Sequence, residues 1–373
     1  MAIELAPVSH QESLNDASLR PPYVRQAETR VAKPANMVTA SSELRWEELK
    51  FAALAPKDSA TSTEDPIKAA YRQSLQSKDF QERYEAIKAI CDYGDQADKR
   101  AALPALLEMF KDSKAYASDP QGNNMGRYVE WCVDAADTAL KQKAALAFKD
   151  ALGGGNGELV ELIALRGLAR SGDQAAPAMD RLVWALDQKW GVGGGRYTLY
   201  AITALANIDP DKALPYAIKG MEDQSPTLRT GSLKVIATKA SQAQAARFLL
   251  KARNIYGSDK NLDTRFEAGR VMYKALGHER AYPLFLKDVS SPDKSTKETG
   301  LRLMGICGND GLPVLQKHIN DNGYQWACLY AISYMGPLAK PLLPQVEKFL
   351  NDGNKDIRMY ATWAHSAITK PKN

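Results

Sequence analysis

From residue 66 onward the chain alternates short polar turns with apolar stretches whose spacing is that of an amphipathic helix. The first clear unit is DFQERYEAIKAICDYG, closing at Gly94. Its relatives are GELVELIALRGLARSG, GGRYTLYAITALANID, SPTLRTGSLKVIATKA, DTRFEAGRVMYKALG, DKSTKETGLRLMGICG, NGYQWACLYAISYMG and NKDIRMYATWAHSAIT. Aligned on the closing glycine or its equivalent, every unit carries a small residue eight positions earlier: Ala86, Ala164, Ala201, Ser232, Gly269, Gly300, Cys328 and Ala361. A weaker member, MGRYVEWCVDAADTAL, supplies Cys132 and fills the gap between the first two. Separations of 28 to 46 residues lie in the range of helical repeat arrays. A small residue recurring at one register position predicts close helix crossings, since axes 8–10 Å apart leave little room for a side chain.

Between these helices a proline follows an apolar pair at Pro104, Pro215, Pro283, Pro313 and Pro344, with a looser relative at Pro177. Proline in a first turn sacrifices no hydrogen bond, so each repeat reads as a Pro-started helix A, a turn and a helix B. Asp65 and Pro66 form the cap and first residue of the earliest such helix.

The first 65 residues differ in kind. Pro7, Pro21, Pro22, Pro34 and Pro56 punctuate them, and they end on the polar run DSATSTEDP. Within them SSELRWEELKFAALA reads as a short helix near 42–55, with Leu44, Glu48, Phe51 and Ala55 on one line. The expected organisation is an extended N-terminal arm over 1–65 and a helical repeat body over 66–373.

The Pro-started helix, the Asp or Asn turn, an Arg or Lys near the start of helix B (Arg83, Arg229, Arg265, Lys297, Arg358), the small residue and the closing Gly together resemble HEAT repeats. The short period is most similar to the phycobilisome-lyase-type subclass. The resemblance implies an all-α fold: a right-handed α-solenoid of about nine HEAT-like helix pairs with an extended N-terminal arm. It also implies that the B helices line a concave face. Positions six, nine and ten before each closing glycine would then point outward, which selects Trp131 with Asp134, Tyr200, Lys234, Arg302, Trp326 with Tyr330, and Tyr360 with Trp363. Arg127, Tyr128, Arg196 and Tyr197 fall one turn earlier.

Composition narrows the function classes. With 45% hydrophobic and 25% charged residues the chain is an ordinary globular one, and no stretch is apolar for the roughly 18 residues of a membrane span. The start MAIELAPVSHQES lacks the regions of a signal peptide, so a cytoplasmic location is expected. Cys91, Cys132, Cys307 and Cys328 form no CxxC pair, and only four histidines are present, so neither a disulfide framework nor a metal centre is expected. One His-Glu dipeptide, His278 and Glu279, falls short of the paired dipeptides that the HEAT-like deoxyhypusine hydroxylases use to hold two irons. The glycine clusters at 153–155 and 191–196 follow no strand and read as turns. Net charge is +5, with residues 1–65 carrying −3 and residues 244–373 carrying +7.

No cofactor and no catalytic constellation emerges. The expected function is a non-catalytic protein-binding scaffold or adaptor. Its candidate contact residues on the concave face are Trp131, Tyr200, Arg302, Trp326, Tyr330, Tyr360 and Trp363, with Trp326, Tyr330, Tyr360 and Trp363 expected to be partly exposed, joined by Trp46 and Phe51 on the arm; aromatic and Arg side chains are the usual binding anchors. Two other readings stay open. One is a nucleic-acid-binding solenoid, in which Trp131, Asp134 and Arg127 would serve as in the HEAT-like alkylpurine DNA glycosylases, against which the lack of a dense basic stripe in 66–243 weighs. The other is a bilin lyase-like chaperone.

Overall fold

The computed structural model describes residues 66–116, 122–153, 155–188 and 195–369. The arm expected over 1–65, with Trp46, Phe51 and the cap Asp65, lies outside the described residues.

Nineteen α-helices and no strand occur among the described residues. They are α1 (Pro66–Ser74), α2 (Phe80–Tyr93), α3 (Gln96–Met109), α4 (Asn123–Ala135), α5 (Thr138–Ala151), α6 (Glu158–Ser171), α7 (Met179–Gln188), α8 (Arg196–Ile208), α9 (Pro210–Gly220) and α10 (Pro226–Lys239). There follow α11 (Gln242–Ala246), α12 (Leu249–Ser258), α13 (Leu262–Leu276), α14 (His278–Val289), α15 (Lys294–Met304), α16 (Gly311–His318), α17 (Gln325–Met335), α18 (Leu343–Glu347) and α19 (Lys355–Thr369). The repeat-bearing B helices are α2, α4, α6, α8, α10, α13, α15, α17 and α19; the others are A helices, with α11 and α12 together making one. The chain divides at Ser241/Gln242 into two compact units. Within each, successive B helices lie against one another.

The turns are built as the resemblance implies. Asp79, Asp137, Asp209 and Asp293 each accept a hydrogen bond from the backbone N–H three residues on, and Asp95 forms a reciprocal capping box with Asp98. At the start of three B helices Arg83, Arg229 and Arg358 each donate through Nη1 to the carbonyl six residues earlier, at 2.6, 2.9 and 2.6 Å. Arg265 donates instead from Nε to the Tyr256 carbonyl, 2.8 Å away. Lys297 makes no such bond; its ammonium lies 3.6 Å from Asp321 and over the Tyr324 ring.

All nine residues of the small column are buried. Their size matters where they meet a neighbour. A Cβ at Gly300 would stand 2.9 Å from the backbone nitrogen of Val289, and one at Gly269 would strike the Leu303 side chain.

Three of the prolines, in contrast, do not start helix A. Pro104, Pro215 and Pro283 sit inside α3, α9 and α14, because the cap residues Asp95, Asp209 and Gly277 have already begun those helices five or more residues upstream. Each such proline forgoes one hydrogen bond to the preceding turn. Only Pro313 and Pro344 fall within the first three residues of their helices.

Candidate functional site

In the unit from Gln242 onward, the B helices bring together most of the aromatic residues that the register selects. Arg302 on α15 is the centre. Its Nη2 donates to Asp263 Oδ1 at 2.6 Å, and its guanidinium carbon lies 4.3 Å from the Tyr330 ring centre, 4.7 Å from Phe266 and 5.6 Å from Trp326. Burial opposes its charge, but Asp263 and the Tyr330 hydroxyl outweigh that, so the guanidinium is held protonated above its ordinary range. Its Nε and Nη1 are buried without a hydrogen-bond partner.

Around it the rings pack on one another: Tyr330 on Phe266 (5.4 Å), Tyr360 on Tyr330 (6.2 Å) and Trp363 on Tyr360 (5.1 Å). The partial exposure expected of Tyr330, Tyr360 and Trp363 is therefore not found; they are 7, 8 and 8% exposed, and Arg302 is 1% exposed. The reason is the small column itself, which draws B helices so close that large side chains on consecutive repeats cover each other. Trp326 is half-buried, with its indole N–H donating to Glu298 at 3.4 Å. Burial pushes the Glu298 carboxyl above the usual carboxylate range.

The unit that ends at Ser241 has a different wall. Arg166 on α6 donates from Nε to Glu130 on α4 at 3.1 Å, and Arg170 approaches both Glu130 and Asp134 at 3.8 Å. Trp131 and Tyr200 are half-buried here. Tyr128 and Tyr197, placed one turn earlier by the register, are buried; the Tyr197 hydroxyl donates to Glu161 at 3.1 Å.

A feature common to both walls emerges. The three half-buried rings Trp131, Tyr200 and Trp326 each have a guanidinium carbon 5.6 Å from the ring centre, from Arg127, Arg166 and Arg302 respectively. A cation over a ring face is attracted by the ring's quadrupole, which favours one orientation of the ring. Sequence reasoning missed Glu130, Arg166, Asp263 and Phe266 as members. Glu130 and Arg166 stand 36 residues apart, about one repeat, so pairing charges across the repeat spacing would have found them.

The reactive side chains are quiet. All four cysteines are free and buried, and Cys91 and Cys132 bring their sulfurs to 3.6 Å. Burial pushes the Cys91 thiol well up and the Cys307 thiol up to about 12, which leaves neither as a nucleophile at neutral pH. His278 bonds Asp310 at 2.6 Å and Tyr273 at 3.1 Å, and His318 bonds Asp321 at 2.6 Å. Among the described residues no group of three or more His, Cys, Asp or Glu is placed to hold a metal ion, and no helix is long and apolar enough to cross a membrane. In the first glycine cluster Gly153 and Gly155 have positive φ, as does Gly195 at the end of the second; residues 154 and 191–194 lie outside the described set.

Paired helices, arginine-closed turns and a buried small column define HEAT-like repeats. No family model matches the chain, and no curated protein does. Solved structures that it resembles include the CpcE and CpcF complex of phycocyanin lyase from Nostoc sp., at 17% identity and a TM-score of 0.39, covering 84% of this chain and 100% of that one. Others are Kap95p with RanGDP (14% identity, TM-score 0.39, 92% of this chain and 50% of that chain) and a mutant of Kap121p (12%, 0.40, 89% and 46%). The chain thus spans about half the length of the karyopherins it matches.

Proposed function

We propose that the protein is a non-catalytic protein-binding scaffold whose B-helix walls carry the contact residues. The observation that supports this most is the recurrence of a half-buried aromatic ring fixed by an arginine at Trp131, Tyr200 and Trp326. Rigid aromatic side chains lose little entropy on binding, and they and arginines dominate the energetics of interfaces. Tyr330, Tyr360, Trp363 and Arg302 form the layer beneath Trp326, holding it in place rather than meeting the partner first.

The test is a triple substitution, Trp131→Ala, Tyr200→Ala and Trp326→Ala. The partner is first identified by co-purification from the native source and mass spectrometry, then titrated against wild type and variant. Partly exposed side chains contribute little to folding, whereas one central anchor is worth about 2 kcal/mol of binding. The expected result is a protein that melts within a few degrees of wild type and binds at least about thirtyfold more weakly. Normal binding by the folded variant would remove the B-helix walls as the contact surface. Recovery of nucleic acid in place of a protein would reverse the reading.

A further inference from the structure

The stretch Ser41–Ala55 carries Glu43, Glu47 and Glu48 against Arg45 and Lys50, a net charge of −1. Trp131 is flanked not by one cation but by two: the Lys99 ammonium lies 5.5 Å from its ring centre and the Arg127 guanidinium carbon 5.6 Å. Neither cation forms an ion pair within 4.0 Å among the described residues, although both act on Asp92 electrostatically. Arg127 uses only Nη2, toward Asn124 at 2.7 Å, and its Nε is buried without a partner. The carboxylate they share, Asp92, also faces Lys88, and burial holds its pKa up rather than letting the cations draw it down. Lys88 in turn lies 3.6 Å from Glu85. The face around Trp131 is thus basic and aromatic, with charge left over.

The chain before residue 66 leaves from beside this face. Lys68, in the first turn of α1, pairs with Asp95 at 2.7 Å and Asp98 at 3.2 Å, and Arg72 pairs with Asp98 at 2.6 Å. Asp95 and Asp98 cap α3, and Lys99 is the next residue of that same turn. Ten residues lie between Ala55 and Pro66, eleven steps of the chain and enough for about 36 Å when extended, several times the single helical turn of about 5.4 Å that spans Asp95 to Lys99. The segment 1–65 carries −3, and helical spacing would align Glu43, Trp46 and Glu47.

We propose that Ser41–Ala55 docks on its own chain at the Lys99–Arg127–Trp131 face and occupies that end of the wall until a partner displaces it. The inference rests on the scaffold reading only for the displacement; the docking stands on charge, reach and the unpaired cations.

Zero-length carbodiimide coupling of the full chain tests it, with hydrogen exchange as the second readout. The expected products are amide bonds within one chain from Lys99 to Glu43, Glu47 or Glu48, lost in Lys99→Arg, which keeps the charge but cannot couple. Amides of residues 41–55 should exchange roughly fivefold faster in the Lys99→Glu/Arg127→Glu variant. The same acceleration should appear in Glu43→Lys/Glu47→Lys, whose changes lie outside the helical body, and combining all four should restore protection. Couplings spread evenly over the lysines, couplings found only in covalent dimers, or unchanged exchange would each overturn the docking. If docking fails while the triple wall variant still loses its partner, the scaffold reading survives alone. If docking holds and that variant binds normally, the arm has a site and the wall does not.

Discussion

Arg166 and Arg302 stand at the same place in their repeats, two residues past the small residue of a B helix, and meet different surroundings. Arg166 belongs to a ladder of charges: it shares Glu130 with Arg170, keeps about 10% of its side chain in solvent, and covers Tyr200. Arg302 belongs to a cage of rings, is 1% exposed, and has a single carboxylate, Asp263, which is itself 32% exposed. One register position therefore performs two tasks. In the first wall it joins adjacent helices through a buried pair with Glu130, which the more exposed Arg170 also approaches. In the second it fills the centre of an aromatic cluster, where its stem and flat guanidinium act as packing material as much as charge.

The largest effect that separates the two is expected from truncation. Arg302→Ala empties the space between Phe266, Trp326 and Tyr330 and should cost about 3–4 kcal/mol, the range of a large buried side chain removed to alanine. Arg166→Ala leaves Glu130 with Arg170 nearby and should cost about 1–2 kcal/mol. Denaturant unfolding of both variants measures the difference. Arg302→Met sharpens the test: if packing dominates, it should recover most of what alanine loses, because an apolar replacement avoids the two unpaired nitrogens and Asp263 can turn to solvent. Equal loss for alanine and methionine would make charge the main contribution.

A smaller effect tests the first wall. A Cβ at Gly126 would fall on the Arg166 guanidinium, so this glycine on α4 makes room for the arginine's flat face. Gly126→Ala should displace Arg166 from Glu130 and cost about 1 kcal/mol, an interaction that the helix-favouring alanine partly offsets. In an Arg166→Ala background the same change should cost nothing or stabilise slightly, and a double-mutant cycle reads the coupling. Additive losses would mean that the glycine serves the backbone instead.

These contrasts also mark what a sequence can disclose. The buried column from Ala86 to Ala361 and the turn-closing Arg83, Arg229 and Arg358 were legible, because each answers to backbone geometry that recurs along the array, the column in all nine repeats and the arginine-closed turn in three. The register also brought Arg302, Trp326, Tyr330 and Tyr360 to one face. It did not disclose that three of these four would be covered, since exposure depends on the size of residues one or two repeats away, such as Phe266, which packs on Tyr330 from two repeats earlier. Proline misled for a related reason. Pro104, Pro215 and Pro283 are compatible with a helix start, but the aspartate or glycine caps upstream are stronger signals and had already set the boundary.

The smallest effect concerns Glu298, the carboxylate at the edge of the ring cage. Burial raises its pKa, while Lys294 at 3.8 Å and the Trp326 indole N–H only partly offset that. The folded protein therefore holds this proton to a higher pH than the unfolded chain does. Between the ordinary glutamate range and the raised value, unfolding releases a proton, so stability falls as pH rises through that window, and the loss persists above it. Glu298→Gln keeps an acceptor oxygen for Trp326 and removes the titration. The expected outcome, from melting curves at closely spaced pH values, is a variant equal to wild type at low pH and slightly more stable at neutral pH. The Arg166 wall supplies the contrast: Glu130→Gln should weaken two arginine contacts and lower stability at neutral pH. If both glutamines shift stability in the same direction, the two walls do not differ electrostatically in the way their arginines indicate.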